Sequence, residues 1–146
     1  IPLYVNIGNE SYHDGVDISP EEFYRRLRTE EVIPTTSAPT PKDILQCFQD
    51  LAKNHDGIVM ITLSSAFSST YATAAAVAEC FKGCPVKVID SRTAAFAQGL
   101  LAMEAARAAR RGAGIDEVIA RVESLRPRVE LYAVLDTLPT CKELAA

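Results

Sequence analysis

The stretch GIVMITLSSAFSSTYATAAAVA, Gly57 to Ala78, holds no charged residue and changes character twice along its length. Ile58 to Leu63 is a short apolar run rich in β-branched residues, the pattern of a strand covered on both faces. Tyr71 to Ala78 is alanine-rich and reads as a helix. Between them stand Ser64, Ser65, Ser68, Ser69 and Thr70. A strand that passes through a hydroxyl-rich loop into a helix start directs backbone N–H groups and side-chain hydroxyls towards one point, which suits an anion. No acidic residue falls in the first turn of that helix, so this loop is the first place to look for function.

Downstream of it, Pro85 precedes a second apolar strand, Val86 to Ile89, which ends at Asp90-Ser91. A long helix is expected from about Ala94 to Arg111, stopped by Gly112 and Gly114. Asp116 is expected to cap a further helix carrying Val118, Ile119, Val122 and Leu125; Pro127 closes it, and Leu131 to Leu135 reads as the last strand. Upstream, Leu3 to Ile7 alternates weakly and reads as an edge strand before a turn at Gly8-Asn9. Ser19-Pro20-Glu21-Glu22 and Thr40-Pro41-Lys42-Asp43 carry one start signal: a hydroxyl cap, Pro at the first helical position and an acid at the third. The first opens a helix to about Arg28 with Phe23 and Leu27 turned inward. The second runs to about Asn54 with Ile44, Leu45, Phe48 and Leu51 on one face. Val32 to Thr40, with Pro34 and Pro39, reads as a loop. Helices and apolar strands thus alternate over the last two-thirds of the chain. The fold class that follows is α/β, a mostly parallel sheet flanked by helices, with residues 1–146 as one domain.

Composition narrows the function. The 146 residues are 48% hydrophobic and 23% charged, an ordinary globular balance. A net charge of −4 with scattered Lys and Arg speaks against nucleic acid as the main partner. The Gly57–Ala78 stretch is long enough to span a bilayer, but its hydroxyls and broken centre argue against stable membrane insertion. Cys47, Cys80, Cys84 and Cys141 lack the paired spacing of a zinc site, and His13 and His55 do not complete one. No metal and no cofactor is expected, and the four cysteines read as reduced thiols of a cytoplasmic protein. The chain starts at Ile1, without Met, and runs at once into a strand, which suggests a piece of a longer protein.

In a parallel sheet, ligands bind at the carboxyl ends of the strands. Ser64 to Thr70 and Asp90-Ser91 are expected there, and Thr35-Thr36-Ser37 is placed at the same edge. Hydroxyls hold a carboxylate or phosphate as neutral donors, although capping and loop hydrogen bonds are the commonest uses of Ser and Thr. Nucleophilic catalysis fits poorly, because neither His13 nor His55 stands in a recognisable relation to a serine and there is no G-x-S-x-G elbow. A P-loop and a G-x-G-x-x-G are also missing from the sequence. The chain offers binding groups without a catalytic set.

DGVDIS at Asp14–Ser19, TTSAPTP at Thr35–Pro41, SSAFSSTY at Ser64–Tyr71 and the Asp90-Ser91 strand end resemble the DegV family of bacterial fatty acid-binding proteins. The opening IPL and the closing LYAVLDTL extend the resemblance through nearly the whole chain. It implies the N-terminal portion of a two-domain carrier that buries a long acyl chain between sheet and helices and holds its carboxylate by hydroxyls. Carried over, Thr36 and Ser68 are the carboxylate contacts, with Ser37, Ser65, Ser69 and Thr70 in the same two loops. The resemblance further implies no catalysis by this chain: a separate fatty acid kinase would receive the bound fatty acid and make an acyl phosphate for phospholipid synthesis.

The chain departs from the family pattern at Ser69, where glycine is usual, and at Ala38, where glutamine is usual. The resemblance implies that the family's first strand, and the second domain that supplies a His and an Arg near the carboxylate, are to be expected outside this stretch. Ser11, placed in a turn, is expected to be indifferent to binding. Two other functions fit the residues less well: an enzyme using the serine loop on a small molecule, and an interaction domain that binds no ligand.

Overall fold

Apolar residues alternate along two short strands of the computed structural model, and that alternation explains how its larger half is layered. The structure describes residues 1–30 and 32–134. Within them the chain divides into two compact units, Ile1–Pro39 and Thr40–Val134.

In the second unit, β4 (Ile58–Thr62) pairs in parallel with β5 (Val86–Asp90), Ile58 opposite Val86 and Thr62 opposite Asp90. Side chains of period two face alternately to either side. Ile58, Met60, Val86 and Val88 pack with Ile44 and Phe48 of α2 (Pro41–Ala52) and Ala74 of α3 (Thr70–Cys80). Val59, Ile61 and Ile89 pack on the other side with Leu101 and Ala105 of α4 (Ala95–Arg110) and Val118 and Val122 of α5 (Ile115–Leu125). Both faces of the pair are therefore covered, as the apolar run predicted. A 3-10 turn at Arg126–Arg128, with Pro127 inside it, ends this set of elements.

The first unit is antiparallel. Its strands β1 (Tyr4–Ile7), β2 (Glu10–His13) and β3 (Thr35–Ser37) lie in the order β2-β1-β3, with α1 (Pro20–Thr29) between β2 and β3 in the chain. Val5, Ile7 and Ile18 form its core, with Tyr12 and Phe23 packed against them. Gly8, at φ 60°, makes the turn between β1 and β2, a conformation that favours glycine. The Arg26 guanidinium ties the unit together, bonding Glu30, Glu10 and the Tyr12 hydroxyl at 2.6–2.8 Å. Its carboxylate partners, Glu30 foremost, raise its pKa further.

Several expectations change. Glu10–His13 is a strand beyond the Gly8-Asn9 turn, and Thr35–Ser37 is a strand where a loop was expected, because each supplies β1 with a hydrogen-bonding partner. Leu131–Val134 forms no strand, and Leu135 lies outside the described residues. Gly114, not Asp116, is the N-cap of α5; the Glu117 carboxylate accepts the Gly114 N–H at 3.0 Å. Thr40 and Asp43 close a reciprocal capping box, whereas Ser19 caps α1 alone because the Glu22 carboxylate turns to Arg25. Leu27, Leu45 and Leu51 are about two-fifths exposed, so Phe23, Ile44 and Phe48 carry the packing of those helices.

Candidate functional site

The serine loop leaves the carboxyl end of β4 and enters α3, as the sequence predicts. Ser69 is the N-cap of α3, and its side chain makes no capping bond. The first turn holds no acidic residue. The initial N–H groups of a helix have no partner within it, so the start of α3 offers donors and the positive end of a dipole.

Each hydroxyl of the loop has a distinct state. Ser64 is buried and its Oγ accepts the Ala66 N–H at 3.2 Å. Ser65 donates its hydroxyl proton to the Asp90 carboxylate at 2.6 Å, and its N–H reaches the same group at 3.2 Å. Ser68 Oγ accepts the Thr70 N–H at 3.2 Å and lies 2.8 Å from Thr70 Oγ1, with either hydroxyl free to donate. Thr70 is buried, Ser68 half-buried and Ser69 exposed. Ser68, Ser69 and Thr70 are thus brought together at the helix start, and Ser65 is drawn towards β5.

Asp90 and Ser91 end β5 as expected, but they turn inward. Burial pushes the Asp90 carboxyl up, and the bonds from Ser65 and the Arg92 N–H outweigh this and hold it below the ordinary carboxylate range. Ser91 is buried, donating to the Thr93 carbonyl at 3.1 Å and accepting the Thr93 N–H. Arg92 and Ala95 both have left-handed backbones, at φ 56° and 50°. A mere strand end in the sequence therefore becomes the clasp of the serine loop. The visible signal was an acid placed where β5 stops beside a hydroxyl-rich loop.

Thr36 and Ser37 belong to the first unit. Ser37 Oγ accepts the Asn6 amide N–H at 2.8 Å, which leaves the serine proton available to a ligand. Asn6 in turn accepts the Ser11 hydroxyl at 2.7 Å, so Ser11 lies on β2 and orients the amide behind Ser37 rather than standing apart in a turn. Thr36, opposite Val5 in the sheet, is exposed, and it lines a cavity of about 320 Å3 with Leu3, Val5, Phe23, Tyr24 and Asp14.

The second unit carries apolar grooves on both sides of its strand pair. One, of about 590 Å3, runs along Val59 and Ile61 beneath Ala102, Ala105, Ala106 and Ala109 of α4. The other, of about 620 Å3, lies between α2 and α3 along Leu45, Thr73, Ala76 and Val77. Both fall in the size range of small-molecule sites.

His13 is paired with Asp17, its Nδ1 2.6 Å from the carboxylate, and packs at a tilt of 42° on Tyr4 with ring centroids 4.6 Å apart. It serves the end of β2 and not a serine. Among the described residues Cys47, Cys80 and Cys84 are unbridged thiols, no three His, Cys, Asp or Glu side chains gather as a metal site, and no helix is long and apolar enough to cross a membrane. Cys141 lies outside those residues.

Comparison with known proteins places the chain. A family model described as "Uncharacterised protein, DegV family" matches residues 1–141. A DegV domain-containing protein of Caldanaerobacter subterraneus subsp. tengcongensis is 40% identical over 138 residues, 94% of this chain and 49% of that protein. The chain thus spans about half the length of the curated relatives it matches. Among solved structures, DegV of Bacillus subtilis, described as a fatty acid binding protein, aligns with a TM-score of 0.83 at 29% identity, over 87% of this chain and 45% of that one. A DegV family protein of Thermus thermophilus, described by its fatty acid binding, aligns with a TM-score of 0.79 at 30% identity and the same coverage. The family match covers almost the whole chain and the fold agrees with it: the chain belongs to the DegV family.

Proposed function

We propose that this chain is the head-group-binding part of a fatty acid carrier, holding a long-chain fatty acid by its carboxylate. The observation that carries the reading is the start of α3, where the hydroxyls of Ser68, Ser69 and Thr70 gather in a turn with no acid and the Ser69 side chain makes no capping bond. Such a group of neutral donors suits a carboxylate. Its membership of a family with fatty acid-binding members supports the choice of ligand. Ser68 and Thr36 are each assigned a carboxylate contact, with Ser69 and Thr70 following Ser68 in its loop, Ser37 following Thr36 on its strand, and Ser65 as support. Burial of the acyl chain supplies most of the affinity, at about 0.8 kcal/mol per methylene.

In this reading the chain performs no chemistry. It works in the cytoplasm and presents the bound acid to a fatty acid kinase, whose acyl phosphate product feeds phospholipid synthesis. Native mass spectrometry of the full-length protein tests the ligand. A co-purified fatty acid, or uptake of one from a lipid mixture, is expected. A protein that is always empty and takes up none rejects the reading. Mixing the loaded protein with the kinase and ATP tests the carrier role by the appearance of acyl phosphate.

A further inference from the structure

Asp90 stands at the end of β5, and its carboxylate reaches across to the loop that leaves β4. It gathers the Ser65 hydroxyl at 2.6 Å, the Arg92 N–H at 2.9 Å and the Ser65 N–H at 3.2 Å. The strand end is itself fixed: Arg126 donates to the Asp90 carbonyl at 3.2 Å, and the Ser64 N–H reaches the Thr93 carbonyl at 2.7 Å. A carboxylate only accepts, and a serine hydroxyl has one proton, so the Ser65 proton is committed to Asp90. Ser68 is in the opposite state. Its oxygen accepts the Thr70 N–H, and when the Thr70 hydroxyl donates as well, the Ser68 proton is left for another acceptor.

We propose that Asp90 is a positioning residue for the head-group site: by clasping Ser65 it sets the path of the serine loop and leaves Ser68 as its donor to a carboxylate. The inference rests on Ser68 being a head-group contact. Asp90 acts through Ser65 and touches no ligand. An amide at this position would reverse the bond, donating to Ser65 Oγ and releasing the serine proton, so the loop would lose both its charged clasp and its ordered donor.

A double-mutant cycle in the full-length protein, with oleate as the probe, tests this. Asp90→Asn is expected to weaken oleate binding about fivefold or more when Ser68 is present, and less than about twofold in a Ser68→Ala background, because coupled residues are not additive. Ser65→Ala removes the other end of the bond from an exposed position and is expected to show the same coupling; it carries the test if Asp90→Asn fails to fold. With carboxyl-labelled [13C]oleate, the bound carboxyl resonance is expected to move in Asp90→Asn, in Ser65→Ala and in Ser68→Ala. Equal losses in both backgrounds, no loss at all, or an unmoved resonance in the clasp variants overturns the positioning role and leaves the head-group reading standing. Full affinity in Ser68→Ala alone overturns the head-group reading, and this inference with it.

Discussion

Thr36 carries an exposed hydroxyl at the edge strand of one unit, and Ser68 carries a half-buried one supported by Thr70 in the other. Each is a candidate for one charge-assisted bond, and loss of such a bond costs about 1.5–3 kcal/mol. Thr36→Val and Ser68→Ala are expected to weaken fatty acid binding by that amount in a fluorescent fatty acid titration. Ser11→Ala is a poor control, because Ser11 holds the Asn6 amide that orients Ser37. Ser124→Ala, which removes only a bond to the Arg121 carbonyl on α5, is expected to be silent. Unchanged affinity in both Thr36→Val and Ser68→Ala would remove the proposed contacts.

Asp90 also makes a prediction about pH. Its folded pKa lies below its ordinary 3.8, so its contribution to stability is present above that value and is lost as pH falls through the folded value. The difference in thermal midpoint between the parent and Asp90→Asn should shrink on acidification from about pH 6 to about pH 3. A constant difference would show that the clasp does not depend on charge.

At the scale of elements, helix starts coded by adjacent residues were legible, and strands without an apolar run were not. Thr40-Pro41-Lys42-Asp43 announces its capping box because the four residues that make the bonds are adjacent in sequence. Thr40→Ala is accordingly expected to lower stability by about 0.5–2 kcal/mol in chemical denaturation. Ala94 poses the reverse case: it is the N-cap of α4 in an extended conformation, with no side chain to accept an N–H. Ala94→Ser is expected to stabilise by about 1 kcal/mol, and an unchanged midpoint would mean that the first turn of α4 is already satisfied.

The strands Glu10–His13 and Thr35–Ser37 carry no apolar run; they are strands because β1 offers free N–H and C=O groups on both edges. Pairing partners far apart in sequence leave no local mark. The same holds for the site: its hydroxyls were visible in SSAFSSTY, but the division of labour between Ser65 and Ser68 depends on Asp90, which is 25 residues away.

At the scale of the molecule, the two units differ in how much core they own. Among its described residues the first rests on Val5, Ile7 and Ile18, a single small core of the kind that is marginal by itself. The second has two clusters, one on each side of its strand pair, with Ile44, Leu101 and Val122 fully buried. Units with separate cores open separately, and the one with less apolar burial opens first. Native-state hydrogen exchange should therefore show the amides of β1 and β3 exchanging at lower free energy than those of β4 and β5. Ile7→Ala and Leu101→Ala each delete a buried side chain, at a cost of about 2–5 kcal/mol. Ile7→Ala is expected to speed exchange in the first unit while leaving β4 and β5 protected, and Leu101→Ala to strip protection from β4 and β5. If either substitution speeds exchange in both units by the same factor, the chain unfolds as one cooperative body, and the candidate contacts Thr36 and Ser68 would be gained and lost together.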